Sequence, residues 1–132
     1  MNGTEKPIGV AIIICERVIT EAGTGNKTIV STFNNITAQN FPCMHPHMAV
    51  YVAMTNSVGF KQVNLLLKRG EKILIKVGGK INFPDNNAVV DIIFNLVGVP
   101  FLEDGVFCFE IHADDEYIFE SRFSVTKTGE QL

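Results

Sequence analysis

The stretch Asn95–Val125, NLVGVPFLEDGVFCFEIHADDEYIFESRFSV, decides the fold. From Phe107 onward the apolar residues Phe107, Phe109, Ile111 and Ala113 alternate with Cys108, Glu110 and His112. A period of two is the mark of a strand with one buried face and one wet face. Phe119, Phe123 and Val125 continue the apolar set beyond the acidic segment Asp114-Asp115-Glu116, which reads as a hairpin loop. Both arms place inward residues at odd positions, so the loop between them holds an odd number of residues. A five-residue loop, Asp114–Ile118, sets Glu110 opposite Arg122, His112 opposite Glu120 and Phe109 opposite Phe123. A three-residue loop sets Glu110 against Glu120, a like-charge pair that costs some tenths of a kcal/mol. The longer loop is the expectation. Asn95–Phe101 reads as a crossover into the turn at Gly105.

Working outward, the same patterning gives about eight strands. Ile8–Thr20 is the first, and Thr28–Ile36 its hairpin partner across a Gly-rich loop. Asn40–Pro46 holds two prolines and reads as a loop crossing between sheets. Met48–Thr55 alternates, with Val50, Val52 and Met54 on one face. Phe60–Lys68 and Lys72–Phe83 form the next pair. In the second of these, the odd residues from Ile73 to Phe83 form the inner face and Lys72, Lys76 and Lys80 the outer. Gly78-Gly79 in mid-strand points to a bulge or to close approach of another backbone. Val89–Val97 completes the set. No window carries a 3.6-residue apolar stripe, so an all-β single domain is expected over residues 1–132, with residues 1–7 and 128–132 as flexible ends.

A chain of 132 residues with 46% hydrophobic and 19% charged residues can bury one core and is not a disordered chain. Ile8–Cys15 is too short to span a bilayer and is followed at once by Glu16-Arg17 without a small-residue cleavage site. It reads as a buried strand, and no membrane partner is expected. Cys15, Cys43 and Cys108 are an odd, dispersed set that implies no disulfide framework, which points to the cytoplasm.

Several motifs carry a family resemblance. Phe41-Pro42-Cys43-Met44-His45-Pro46 leads into a strand, and Phe83-Pro84-Asp85 closes another. Most specific is L-x-G-x-P-F-x-x-x-G-x-F-x-F from Leu96 to Phe109, ending on R-F-x-V from Arg122 to Val125. On these the chain resembles a family of small, uncharacterised bacterial proteins, a domain of unknown function with an immunoglobulin-like β-sandwich. The resemblance covers roughly residues 8–127 and implies a fold of about eight mostly antiparallel strands, with no activity attached. Glu103-Asp104-Gly105-Val106-Phe107 likewise resembles the D-x-G-x-Y corner of immunoglobulin-like sandwiches, with Phe107 in the tyrosine position and so without the corner hydroxyl.

Three clusters could carry chemistry. Cys43, His45 and His47 are zinc-type ligands, and in an extended segment all three point the same way. Their spacing matches no common zinc motif, and a capping role in a turn is the simpler reading. Lys61, Lys68, Arg69, Lys72, Lys76 and Lys80 give residues 61–80 a charge of +5 (six cations, one acid), while the remainder carries −8 (5 cations, 13 acids). Without interleaved aromatic residues this stripe suits edge protection better than base stacking, so no nucleic acid is expected. Asp114-Asp115-Glu116 lacks the spacing of a calcium loop.

No nucleophile elbow, phosphate loop or zinc-protease motif is present. Cys15 is expected to be buried and inert, and Glu110 beside Cys108 would not lower its pKa. The sequence therefore favours a non-catalytic module that binds a protein partner or itself through an outer face or edge strand, with Leu66, Leu74, Cys108 and Ile118 as a part-apolar surface. The alternative is a small-molecule- or metal-binding protein, or an enzyme, built on Cys43, His45 and His47.

Overall fold

A computed structural model describes residues 5–128, and among them the chain is all-β, in two sheets. The strands are β1 (Ile8–Thr20), β2 (Lys27–Thr32), β3 (Asn35–Ala38), β4 (Cys43–Thr55), β5 (Gly59–Arg69), β6 (Lys72–Phe83), β7 (Val90–Phe101), β8 (Gly105–Ala113) and β9 (Glu116–Lys127). One sheet has the order β2-β1-β4-β7, the other β3-β9-β8-β5-β6. Met48, Val50, Val52 and Met54 from the first meet Val63, Leu65, Leu67, Phe109 and Ile111 from the second in one apolar layer. Of these, Val50, Val52, Met54, Phe109 and Ile111 are residues that the alternation put inside. Among the described residues no helix is long and apolar enough to cross a membrane. The ends expected to be flexible, 1–7 and 128–132, lie largely outside the described residues. Within those residues, Ser57 Oγ donates to the Glu5 carbonyl at 2.8 Å.

Nine strands replace the expected eight because Thr28–Ile36 is not one strand. Ser31 sits at φ 56°, and the chain leaves the first sheet after Thr32. Asn35–Ala38 then pairs in parallel with Ser124–Lys127 of β9, in the opposite sheet. The other pairings are antiparallel. The supposed crossover Asn95–Phe101 is likewise the second half of β7, paired with β4 as far as Phe101–Cys43. Accordingly β4 begins at Cys43 rather than Met48. Pro46 is tolerated there because it takes no place in the ladder, falling between the His45–Val99 and His47–Val97 pairs.

A single-residue bulge in β6 shifts side chains to unexpected faces. In β6, Leu67 faces Ile75 but Lys68 faces Ile73, so Leu74 is the extra residue. Alternation reverses there: Ile73 is 53% exposed, and Leu74 packs against the core. Lys61 is a further exception to the outward stripe: it shares the inner face with Val63 and is 6% exposed, its Nζ 3.8 Å from Asp114.

The closing hairpin does not take the expected five-residue-loop register; beyond a bulge it has the pairing of the three-residue alternative. Its turn is Asp114-Asp115, both at positive φ (48° and 67°), and Ile118 is the extra residue between the His112–Tyr117 and Ile111–Phe119 pairs. A two-residue loop plus a bulge satisfies the parity that an odd loop was meant to satisfy. Glu110 therefore does face Glu120, and Phe107 rather than Phe109 faces Phe123. Each carboxylate has its own cation. Lys68 lies 3.3 Å from Glu110, and Arg122 3.1 Å from Glu120, which removes the cost assigned to the like-charge pair.

The front hairpin bends sharply. In register, Thr20 lies beyond Cys15, which faces Ala49; a straight strand would hold it roughly 30 Å from the level of Ala11 at about 3.3 Å per residue. Yet Lys27, the partner of Thr20, lies 3.5 Å from Asp91, at the level of Ala53. The β1–β2 hairpin therefore folds back over the outer face of its sheet. That explains why Cys15 and Ala49, on that outer face, are 0% exposed. Asp91 holds both sides, accepting from the Tyr51 hydroxyl at 3.0 Å. Asp91→Ala is expected to cost only about 1 kcal/mol, since both contacts are partly exposed. In that variant the amides of residues 27–32 should exchange faster while those of β4 stay protected, as hydrogen-exchange mass spectrometry would register.

Candidate functional site

Cys43, His45 and His47 lie along β4, but they do not gather. The ladder partners of Cys43 and His45 are Phe101 and Val99, each 1% exposed, whereas that of His47 is Val97, 79% exposed. Facing residues share a side of the sheet, so the alternation reverses across Pro46 and its opposite number Gly98, at φ 66°. Cys43 packs toward the core, and the His45 ring lies 5.5 Å from that of Phe33. His47 Nδ1 instead meets the Glu16 carbonyl at 2.8 Å. His45 Nε2 is buried without a hydrogen-bond partner among the described residues, and the Glu16 carboxylate stands 3.5 Å away. The three donor atoms are not within 4.8 Å of one another; the one group of three metal-ligating side chains that is, among the described residues, is Cys108, Glu110 and Glu120.

That group belongs to a polar network on the outer face of the second sheet. Alternation in β8 places Cys108, Glu110 and His112 outward, and the ladder sets Arg122, Glu120 and Tyr117 beside them. His112 Nε2 lies 2.9 Å from Glu110, and the Tyr117 hydroxyl donates to Glu120 at 2.9 Å. Burial, then the charge and acceptor of Glu120, push the Cys108 thiol up to about 12. The Tyr117 hydrogen bond and Arg122 hold the Glu120 carboxyl below its usual range. The network is thus a set of satisfied pairs around a protonated thiol. A thiol held protonated is a poor nucleophile at neutral pH. Because the thiol is neutral in the fold up to about 12 and would ionise near 9 when unfolded, whatever it adds to stability is complete below pH 9 and fades as pH climbs toward 12. Alkylation of Cys108 by iodoacetamide at pH 8.5 should be at least tenfold slower in the folded chain than in urea, and Glu120→Gln should narrow the gap, as peptide mass spectrometry would quantify. Cys15 is buried as expected, and that burial raises its pKa.

The expected apolar surface of Leu66, Leu74, Cys108 and Ile118 is largely absent. Leu66 is 6% exposed, and Leu74 and Ile118 turn to the core. A different surface lies where the two sheets end. β6 and β7 are the last strands of their sheets, each twelve residues long and each with an unpaired edge. Between them opens a hollow of about 230 Å³, with Leu74, Ile75, Pro100, Leu102 and Phe107 as walls and Arg69, Lys72 and Glu103 at the rim. Leu102 is 69% exposed beside it.

Arg69 pins the corner that forms one wall. Its Nη1 donates to Glu103 at 3.0 Å, its Nη2 to the Asp104 carbonyl at 2.9 Å, and its guanidinium lies 5.8 Å from the Phe107 ring centre. It thereby ties the end of β5 to the turn before β8. Arg69 Nε remains buried without an acceptor among the described residues. Of the six cations in residues 61–80, Lys72, Lys76 and Lys80 have no ion-pair partner among the described residues, and all three are exposed on β6. Sequence reasoning found these lysines but not the hollow, whose walls come from segments about thirty residues apart.

No curated protein matches this chain. A family model matches residues 10–126, nearly the whole length, under the description of a family of unknown function. The order of strands and the corner described above are thus features of a chain that belongs to that family, DUF6941.

Proposed function

We propose that the chain is a non-catalytic binding module that takes up an extended segment of a protein partner along the free edge of β6. The observation that carries this reading is the apolar hollow beside that unpaired edge. An added strand would satisfy the edge N–H and C=O groups, and side chains on its inner face would drop between the sheets. Charge separates a partner from a second copy. A symmetric antiparallel β6–β6 pairing centred on Gly78 would set Lys76 against Lys80 of the second copy, whereas an acidic strand is attracted. An immunoglobulin-like sandwich is part of the proposal. It is supported by the pairing of β4 with β7 opposite the run β5-β8-β9, which corresponds to the B–E and C–F–G pairings of that fold.

The test is a photo-crosslinking amino acid placed at Val77 on the β6 edge and, separately, at Thr37 on β3. Expression in the native host should give a discrete protein adduct from position 77 and none from 37. Adducts from 37 alone, or from neither, would remove the reading.

A second reading rests on the buried His45 Nε2, which lacks a hydrogen-bond partner among the described residues and has the Glu16 carboxylate 3.5 Å away: a zinc ion held from the Cys43–His47 segment. Elemental analysis of the purified protein at less than one-tenth zinc per chain would dispose of it.

A further inference from the structure

We infer that the segment taken up at β6 is a free carboxyl terminus, with its last side chain in the hollow and its carboxylate at Lys72. This rests on the edge-binding reading above and adds the end of the chain that is recognised. Three features converge. Strand addition antiparallel to β6 runs from the Phe83 end toward Lys72, so the partner's C-terminal end arrives at the hollow. Past Lys72 the chain turns through Gly70-Glu71 into β5, and there is no further edge for a longer strand to pair with. At that point Lys72 stands exposed and without an ion-pair partner among the described residues, while the Arg69–Glu103 pair beside it is already neutral. The rim therefore carries one unbalanced positive charge. A terminal carboxylate is the anion delivered by a strand that stops there.

The hollow sets the companion group. At about 230 Å³ it is below the roughly 300–1,000 Å³ of cofactor-sized sites, and its walls are Leu74, Ile75, Pro100, Leu102 and Phe107. One aliphatic or aromatic side chain suits it, which makes the preferred terminal residue apolar. Lys76 and Lys80 lie further along β6, on the outer side of the sheet where they face Leu66 and Gln62. They favour acidic residues upstream of the terminus.

The experiment uses arrays of random eight-residue peptides made in two forms, with a free C-terminal carboxylate and as the C-terminal amide, probed with the full chain. Binders are expected to end in an apolar residue, to lose at least tenfold in affinity on amidation, and to lose as much with Lys72→Glu, an exposed change that leaves the core intact. Lys127→Ala, an exposed change on β9 away from the β6 edge, should change affinity by less than threefold. Peptides that bind equally well as amides would overturn the carboxylate assignment and leave edge binding standing. The carboxylate assignment fails in the same way if neither form binds while the Val77 adduct is obtained. Loss of that adduct would instead sink the edge reading itself.

Discussion

Phe123→Ala is expected to lower the free energy of unfolding by about 3–5 kcal/mol. Phe123 is 3% exposed and touches three other rings. It stacks on Phe109 at 5.3 Å and Phe107 at 5.7 Å, and meets Phe101 edge-on at 6.0 Å. Phe107 and Phe109 belong to the neighbouring strand of its own sheet, but Phe101 comes from the edge strand of the other. Removing the ring therefore deletes buried area and also opens a void between the layers, which the surrounding strands can close only by moving as sheets. A domain of this size is stable by about 5–15 kcal/mol, so the loss is a large fraction of the whole. Urea denaturation should show a much lower midpoint at an unchanged slope. Phe60→Ala, at a position 70% exposed, should stay within about 0.5 kcal/mol. A Phe123→Ala cost below about 1.5 kcal/mol would mean the four rings are not the joint between the sheets.

Adjacent glycines supply the second large effect. A side-chain carbon at Gly78 would run into the backbone carbonyl of Val63 and the amide oxygen of Asn64, whereas one at Gly79 would meet nothing within 4 Å. Asn64 is itself fixed, 8% exposed and accepting from Gln62 Nε2 at 3.1 Å. The obstacle at Gly78 is thus a strand backbone in mid-sheet, which cannot step aside as a flexible side chain would. Gly78→Val should cost about 2–3 kcal/mol by overpacking. Gly79→Val should be neutral or slightly stabilising, because a β-branched residue suits an extended position with room around it. Thermal unfolding of the two variants side by side checks the contrast. Equal effects would show that the close approach is not at Gly78.

The expectation of close backbone approach at Gly78-Gly79 came from the sequence alone, since glycine in mid-strand is unfavourable unless something needs the space. Which of the two glycines needed it depended on the β5–β6 pairing. The same division runs through the candidate sites. Cys43, His45 and His47 were legible as a group of ligands because they sit within five residues. Their scattering was not, because Pro46 and Gly98 reverse the alternation together from positions far apart in the chain. The Cys108–Glu110–Glu120 network needed the register of the closing hairpin, and a single bulge at Ile118 set that register differently from the loop-length argument.

By itself the sequence determined the inward face along residues 48–55 of β4 and along β8, because a strand's two faces follow from its own order of apolar and polar residues. It likewise marked the corner at Gly105 and the cationic run through residues 61–80. Only the tertiary structure decided that Asn35–Ala38 would leave its hairpin for the other sheet, that the front hairpin would fold back over Ala49, and that Arg69, Leu74 and Leu102 would frame one hollow. Those outcomes rest on pairings between distant segments and on one-residue bulges, and each bulge moves every later side chain to the opposite face without leaving a trace in local composition.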